Sequence, residues 1–306
     1  MCPAFTANPG IFMRYSLSNS QLHLEVESLG AELKSARSAD GGREYLWQAD
    51  PAYWNRTSPV LFPIVGSLTG KTCFVDGQPW SMPQHGLARD REFTLVDHGP
   101  AFLVFELQAD NATRAAYPFD FVLRIRYDLE GDTVRTGWTV VNPADAVMPF
   151  SIGAHPGFST ALADGDVFED YEVVLDHKAQ YHLWALNDRG QLVDTPVPFR
   201  EPLDRFGLEY RYFEVDALVF PDRQLSEVTV RSRKHGHGVT VGFEGFPIVA
   251  LWTADGKRKR SPFLCVEPWF GHADTQDGPF ELARKPGIRL LPAGEMFKAV
   301  YTMRFF

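Results

Sequence analysis

Along most of this 306-residue chain, apolar residues recur at every second position rather than every third or fourth. Leu22, Leu24 and Val26 alternate with His23 and Glu25. Further on, Phe121, Leu123, Ile125, Tyr127 and Leu129 share a face opposite Arg124, Arg126 and Asp128. A period of two is the period of a strand, whose successive side chains point to opposite sides, and it is incompatible with a helix. The pattern therefore commits the chain to antiparallel sheets with one face buried. After the turn Glu130-Gly131-Asp132 the alternation resumes in Val134, Thr136, Trp138 and Val140, which predicts a β-hairpin. A second hairpin is expected from Val239–Phe243, turning at Glu244-Gly245 into Phe246–Trp252. Phe297, Ala299, Tyr301, Met303 and Phe305 alternate almost to the last residue, so a paired strand is expected there. Helical spacing is confined to short stretches at Asp50–Arg56 and Phe280–Arg284.

Composition supports the same reading. The 24 Phe, 10 Tyr and 7 Trp suit half-buried pleated surfaces, and 44% hydrophobic residues can fill a sizeable core. Glycines and prolines are scattered, as turns require, with no repeat, low-complexity segment or linker. The expectation is an all-β fold, a large antiparallel β-sandwich with few short helices, in one domain over 1–306. A net charge of −9 disfavours nucleic acid, whose binding rests on a basic surface. No apolar run is long enough to span a bilayer, so no membrane partner is expected. Cys2, Cys73 and Cys265 form no disulfide framework and no CxxC pair. The first residues lack a basic stretch followed by an apolar run. The expected setting is the cytoplasm.

Four segments break the strand pattern: 56–66, which ends in LFPIVG, 83–90 with QHGLAR, 151–158 with AHPGF, and 263–271 with EPWFG. In the last, Leu264 and Val266 point one way and Cys265 and Glu267 the other. Pro268 cannot donate to a ladder, which predicts that the strand ends there and leaves Glu267 at its exit, beside Trp269 and Phe270. A carboxylate against aromatic surface is partly desolvated, and its pKa rises towards that of a useful general base. Each residue also has a plainer reading. Glu267 would pair with a surface arginine, His85 and His155 would be hydrogen-bonded structural groups, and Arg89 would be a solvated or salt-bridged side chain. His235-Gly-His237 places two imidazoles on one strand face, yet its basic, polar surroundings read as an exposed turn, so no metal set is assigned. No phosphate-binding loop, dinucleotide fingerprint, HExxH or GxSxG is present.

Taken in register, LFPIVG at 61–66, QHGLAR at 84–89, AHPGF at 154–158 and EPWFG at 267–271 resemble the aldose 1-epimerase (galactose mutarotase-like) family, in its bacterial branch. Gly30-Ala-Glu-Leu33 and Asp216-Ala-Leu-Val-Phe220 also look like family positions, so the likeness spans nearly the whole chain. The resemblance implies a β-supersandwich with a concave site, anomer exchange by acid/base ring opening, and no cofactor. It implies Glu267 as general base, His155 as general acid on the ring oxygen, and His85 as a second histidine near the same centre. Arg56 and Arg89 match sugar- or phosphate-contacting arginines, Asp216 matches an aspartate that holds sugar hydroxyls, and Trp269 or Phe270 could pack on the sugar. Two positions depart from the pattern. Ser67 stands where many relatives have arginine, and His155-Pro-Gly-Phe158 replaces the HSYFN-type signature of better-known mutarotases. The implied partner is a small sugar or sugar phosphate, and the protein is a monomer or homodimer. Two other functions stay open. One is a hexose-6-phosphate 1-epimerase using Arg56, Lys71 and Arg89 as a phosphate cradle. The other is a sugar-binding or regulatory protein without catalysis.

Overall fold

The computed structural model describes residues 5–7, 12–187, 189–254 and 259–306. About half of these lie in strands, and the helical content consists of single turns such as Asn111–Arg114 and Leu282–Arg284. Every strand ladder is antiparallel. A long twisted sheet runs from Val60–Leu61 through Ile152–Ala154, Phe263–Phe270, Ile248–Trp252 and Leu218–Phe220 to the long strand Tyr171–Leu186. It continues through Glu227–Ser232, Gly238–Gly242, Met296–Phe305 and Thr133–Val141 to the edge strand Thr94–Gly99. A smaller sheet contains Met13–Ser18, Leu22–Glu27 and Glu32–Ser38. Leu24, Val26 and Leu33 of the smaller sheet share one buried core with Ile125, Val134 and Met303 of the long one. The fold is a large antiparallel β-sandwich.

The alternation places side chains as expected. Val122–Glu130 pairs with Thr133–Val141 from Val122↔Val141 to Glu130↔Thr133 across Gly131-Asp132, and Leu123, Ile125, Val134 and Val140 are all buried. The last strand is inserted between Thr133–Val141 and Gly238–Gly242, so it is paired on both sides. The second expected hairpin does not form. A turn closes where Phe246 N–H donates to Phe243 O at 3.1 Å. The strands then part, because both edges of Gly238–Gly242 are already taken by Glu227–Ser232 and Met296–Phe305. Ile248–Trp252 instead joins Leu218–Phe220 and Phe263–Phe270.

Phe263–Phe270 carries the centre of the cleft. Leu264, Val266 and Phe270 enter the main core. On the opposite face Phe263 and Cys265 join a small cluster with Trp47 and Ala254, and Trp269 joins another with Leu61, Val65 and Ile248. Glu267 falls between these two clusters. Pro268 does not end the strand: it pairs opposite Val249, and the ladder runs on to Trp269 and Phe270. Val266 N–H reaches Pro156 O on the side where the partner strand is interrupted between Ala154 and Gly157. The N–H that Pro268 lacks faces that same side, since alternate residues direct their amides alike, so no ladder bond is lost.

Candidate active site

Segments 56–66 and 83–90 dock on each other through their backbones. His85 N–H donates to Gly66 O (2.9 Å), and Leu87 and Ala88 N–H both donate to Phe62 O (2.9 and 3.1 Å). His85 lies at φ +65°, a region few non-glycine residues enter, and is followed by Gly86 at φ +73°. A Cβ on Gly86 would lie 2.3 Å from Phe62 O, so only glycine allows this approach. The early Gly30-Ala-Glu-Leu33 stretch braces the same region. Glu32 accepts Thr57 and Ser58 N–H (2.7 and 2.8 Å), and Gly30 packs against the Arg89 backbone.

These contacts close a cavity of about 300 Å³ lined by Trp54, Gly66, Ser67, Gln84, His85, Arg89, His155, Leu186, Gly190, Leu192, Asp216, Ala217, Trp252, Glu267, Trp269 and Ala273. At its base His155 Nε2 stands 3.3 Å from Glu267 Oε2, and both residues are almost fully buried. Neither Glu267 Oε2 nor His155 Nδ1 has a hydrogen-bond partner among the described residues. Trp54 stacks on the His155 ring at 4.8 Å between centroids, and Trp252 meets it edge-on at 5.3 Å. His85 crosses His155 edge-on at 5.5 Å. Its Nδ1 accepts Gly66 N–H at 3.1 Å, which leaves the ring hydrogen of neutral His85 on Nε2.

Burial dominates the electrostatics. Desolvation raises the Glu267 carboxyl well above the ordinary carboxylate range, and the Asp216 charge adds to the rise. The nearby Trp269 indole N–H opposes this without reaching hydrogen-bond geometry. His155 is pushed down to about 3 by burial and then by the positive charges of Arg89 and Arg56. His85 falls well below the usual imidazole value through burial, His155, Arg89 and Arg56. Arg89 itself is lowered to about 10, again chiefly by burial. Burial disfavours both charged forms, so it favours one proton on the Glu267–His155 pair, held as carboxylic acid beside imidazole. Transfer across the 3.3 Å gap gives carboxylate beside imidazolium. Both forms contain one acid and one base.

Glu267, His155, His85, Arg89, Asp216 and Trp269 thus meet around one cavity. Arg89 Nη2 donates to Gln84 O (2.7 Å), and Asp216 Oδ1 accepts Ala217 N–H (2.8 Å). Arg56 is not in the lining: its guanidinium pairs with Asp90 at 2.8 Å. Lys71 is exposed and also outside it. Phe270 does not face the cavity, because alternation turns it into the main core against Phe246 and Phe297. His235 binds Asp166 at 2.8 Å in a turn, as its setting suggested. The sequence reading missed Trp54, Trp252 and the tip of the hairpin formed by Tyr171–Leu186 and Leu192–Gly207, which supplies Leu186, Gly190 and Leu192. His155, Cys265 and Glu267 also bring three ligand-type atoms within 4.8 Å of one another.

The architecture is that of the galactose mutarotase-like β-sandwiches. A structure of a galactose mutarotase related enzyme from Lactobacillus acidophilus superposes with a TM-score of 0.91 at 32% identity, covering 96% of this chain and 97% of that one. The family model described as Aldose 1-epimerase matches residues 13–281. Protein LacX (chromosomal) of Lactococcus lactis subsp. lactis is 34% identical over 92% of this chain and 95% of its own length. A Salmonella typhimurium protein provisionally named glucose-6-phosphate 1-epimerase is 27% identical over 66% of this chain and 67% of its own. The chain belongs to the aldose 1-epimerase family and is an isomerase acting on carbohydrates.

Proposed function

We propose that this enzyme interconverts the α and β anomers of an unphosphorylated aldohexose. The observation that carries this reading is the Glu267–His155 pair, 3.3 Å apart at the base of a cavity sized for one pyranose. Ring opening removes the proton from the C1 hydroxyl and adds one to the ring oxygen. Both oxygens are bonded to C1, so an acid and a base a few ångströms apart reach them together. In the carboxylate–imidazolium form Glu267 takes the hydroxyl proton and His155 protonates the ring oxygen. The C1–C2 bond of the open aldehyde rotates, and reclosure on the other carbonyl face returns both protons. Neutral His85 donates its Nε2 hydrogen to a sugar oxygen, Asp216 and Arg89 hold hydroxyls, and Trp269 packs on the sugar. The setting we assign is the cytoplasm, in keeping with free, buried Cys73 and Cys265. Among the described residues no helix is long and apolar enough to cross a membrane.

The name of the Salmonella relative favours a hexose 6-phosphate instead. Against it, Arg89 is the single cation among the described lining residues, and Asp90 and Glu32 offset its charge. Arg56 is engaged by Asp90. NMR anomer exchange with glucose, galactose and glucose 6-phosphate separates the two readings. We expect the neutral sugars to be the better substrates, and Glu267→Gln to slow exchange by about 10²–10⁴-fold. A clear preference for the phosphate ester would reverse the substrate assignment. Unchanged exchange in Glu267→Gln would remove the mechanism.

A further inference from the structure

We propose that His155, Glu267 and Cys265 form a binding site for a thiophilic divalent cation, zinc above all, whose occupation switches the enzyme off. The metal site follows from the geometry alone, while the switch rests on the acid/base reading above. Cys265 lies two residues before Glu267 on the same strand and points to the same face, beneath the cavity base rather than in its lining. Its sulfur, an imidazole nitrogen and a carboxylate oxygen all fall within 4.8 Å of one another. The 3.3 Å separation of His155 Nε2 and Glu267 Oε2 matches a tetrahedral edge. With zinc–nitrogen and zinc–oxygen bonds of about 2.0–2.1 Å, that edge measures about 3.3–3.4 Å. The sulfur needs an approach of at most about 1.3 Å to complete a face at a zinc–sulfur bond of about 2.3 Å.

The donor set selects the ion. Thiolate and imidazole favour zinc, cadmium or cobalt over magnesium and calcium, which prefer all-oxygen shells. Glu267 Oε2, 3.3 Å from His155 Nε2, is buried without a hydrogen-bond partner among the described residues. On binding, the thiol and the carboxyl release their protons to solvent through the cavity. Three protein ligands leave the fourth position open towards the sugar site. The bound cation occupies both the nitrogen of the acid and the oxygen of the base, so anomer exchange stops while it is bound, and sugar and metal compete.

Cobalt(II) titrated into the purified protein tests the site without any activity measurement. Wild type is expected to show a thiolate-to-cobalt charge-transfer band that Cys73→Ser retains and Cys265→Ser loses. No band in wild type, or a band surviving in Cys265→Ser, overturns the site. Should Cys265→Ser fold poorly, Cys265→Ala and displacement of the wild-type band by glucose give the same decision. For the switch, exchange is followed at chelator-buffered free zinc, each variant scaled to its own metal-free rate. Loss of the thiolate should raise the inhibiting zinc concentration by at least about 100-fold, the upper end of what losing a mere supporting partner costs. Equal inhibition of wild type and Cys265→Ser overturns the switch. A band in a protein inert towards all aldoses would support the metal site and count against the epimerase reading instead.

Discussion

At the scale of single residues, the cavity is organised around the raised carboxyl of Glu267. Its elevation has two causes that can be separated: burial, which no surface change alters, and the charge of Asp216. The pH dependence of kcat/KM reports ionisations of the free enzyme. The working pair carries one proton, held on Glu267 in its uncharged form, so loss of that proton sets the alkaline limb, which should lie above the ordinary carboxylate range. Replacing Asp216 by Asn removes a negative charge that disfavours ionised Glu267, so the Glu267 pKa falls and the limb moves to lower pH. The mutation should also raise KM, because Asp216 lines the cavity, but weaker sugar binding alone leaves the limb in place. A limb that stays fixed in Asp216→Asn would mean that another group sets it. Much of this was legible in the sequence, because the Cys265/Glu267 alternation and the His85 and His155 segments are local patterns. Trp54, which covers His155, was not, since the short helical spacing at Asp50–Arg56 does not say which way its side chains point, and the segment folds as a turn.

At the scale of elements, the tip between Leu186 and Leu192 is held over the cavity by a buried network. Leu192 N–H donates to Asp274 O (2.8 Å), and Gln191 Nε2 donates to Thr69 Oγ1 (2.9 Å). Thr69 N–H in turn donates to Asp274 Oδ2 (2.8 Å). Lys285, lowered to about 8 mainly by burial, stands 3.5 Å from Asp274 Oδ1 and donates to His272 O at 2.6 Å. Lys285→Met leaves a buried carboxylate unpaired, and urea unfolding should show a loss of about 3 kcal/mol. Because the network holds a wall and touches neither acid nor base, the same variant should raise KM more than it lowers kcat. A fall in kcat alone would argue against a positioning role. From sequence, Asp274 and Lys285 look like ordinary surface charges, as nothing local reveals that both are buried. The misjudged hairpin at Glu244-Gly245 has a related cause. The turn was readable, but which strand fills each edge of Gly238–Gly242 is decided by segments far away in the chain.

At the scale of the whole molecule, the question is which sugars the enzyme admits, and charge bears on it beyond the cavity walls. The chain carries a net charge of −9. Around the cleft the positive Arg56 and Arg89 are met by Asp90 and Glu32, so no local excess of positive charge offsets the global field. A dianionic ester therefore approaches against repulsion, whereas a neutral hexose feels none. Salt screens the repulsion, with a Debye length that shrinks from about 30 Å at 0.01 M to about 8 Å at 0.15 M. Over that range kcat/KM for glucose should stay flat, while any turnover of glucose 6-phosphate should rise a few-fold. A cradle built on Arg56, Lys71 and Arg89 predicts the opposite slope, because added salt weakens attraction. The sign of the ionic-strength dependence with the ester thus separates tolerance of a phosphate from recognition of one.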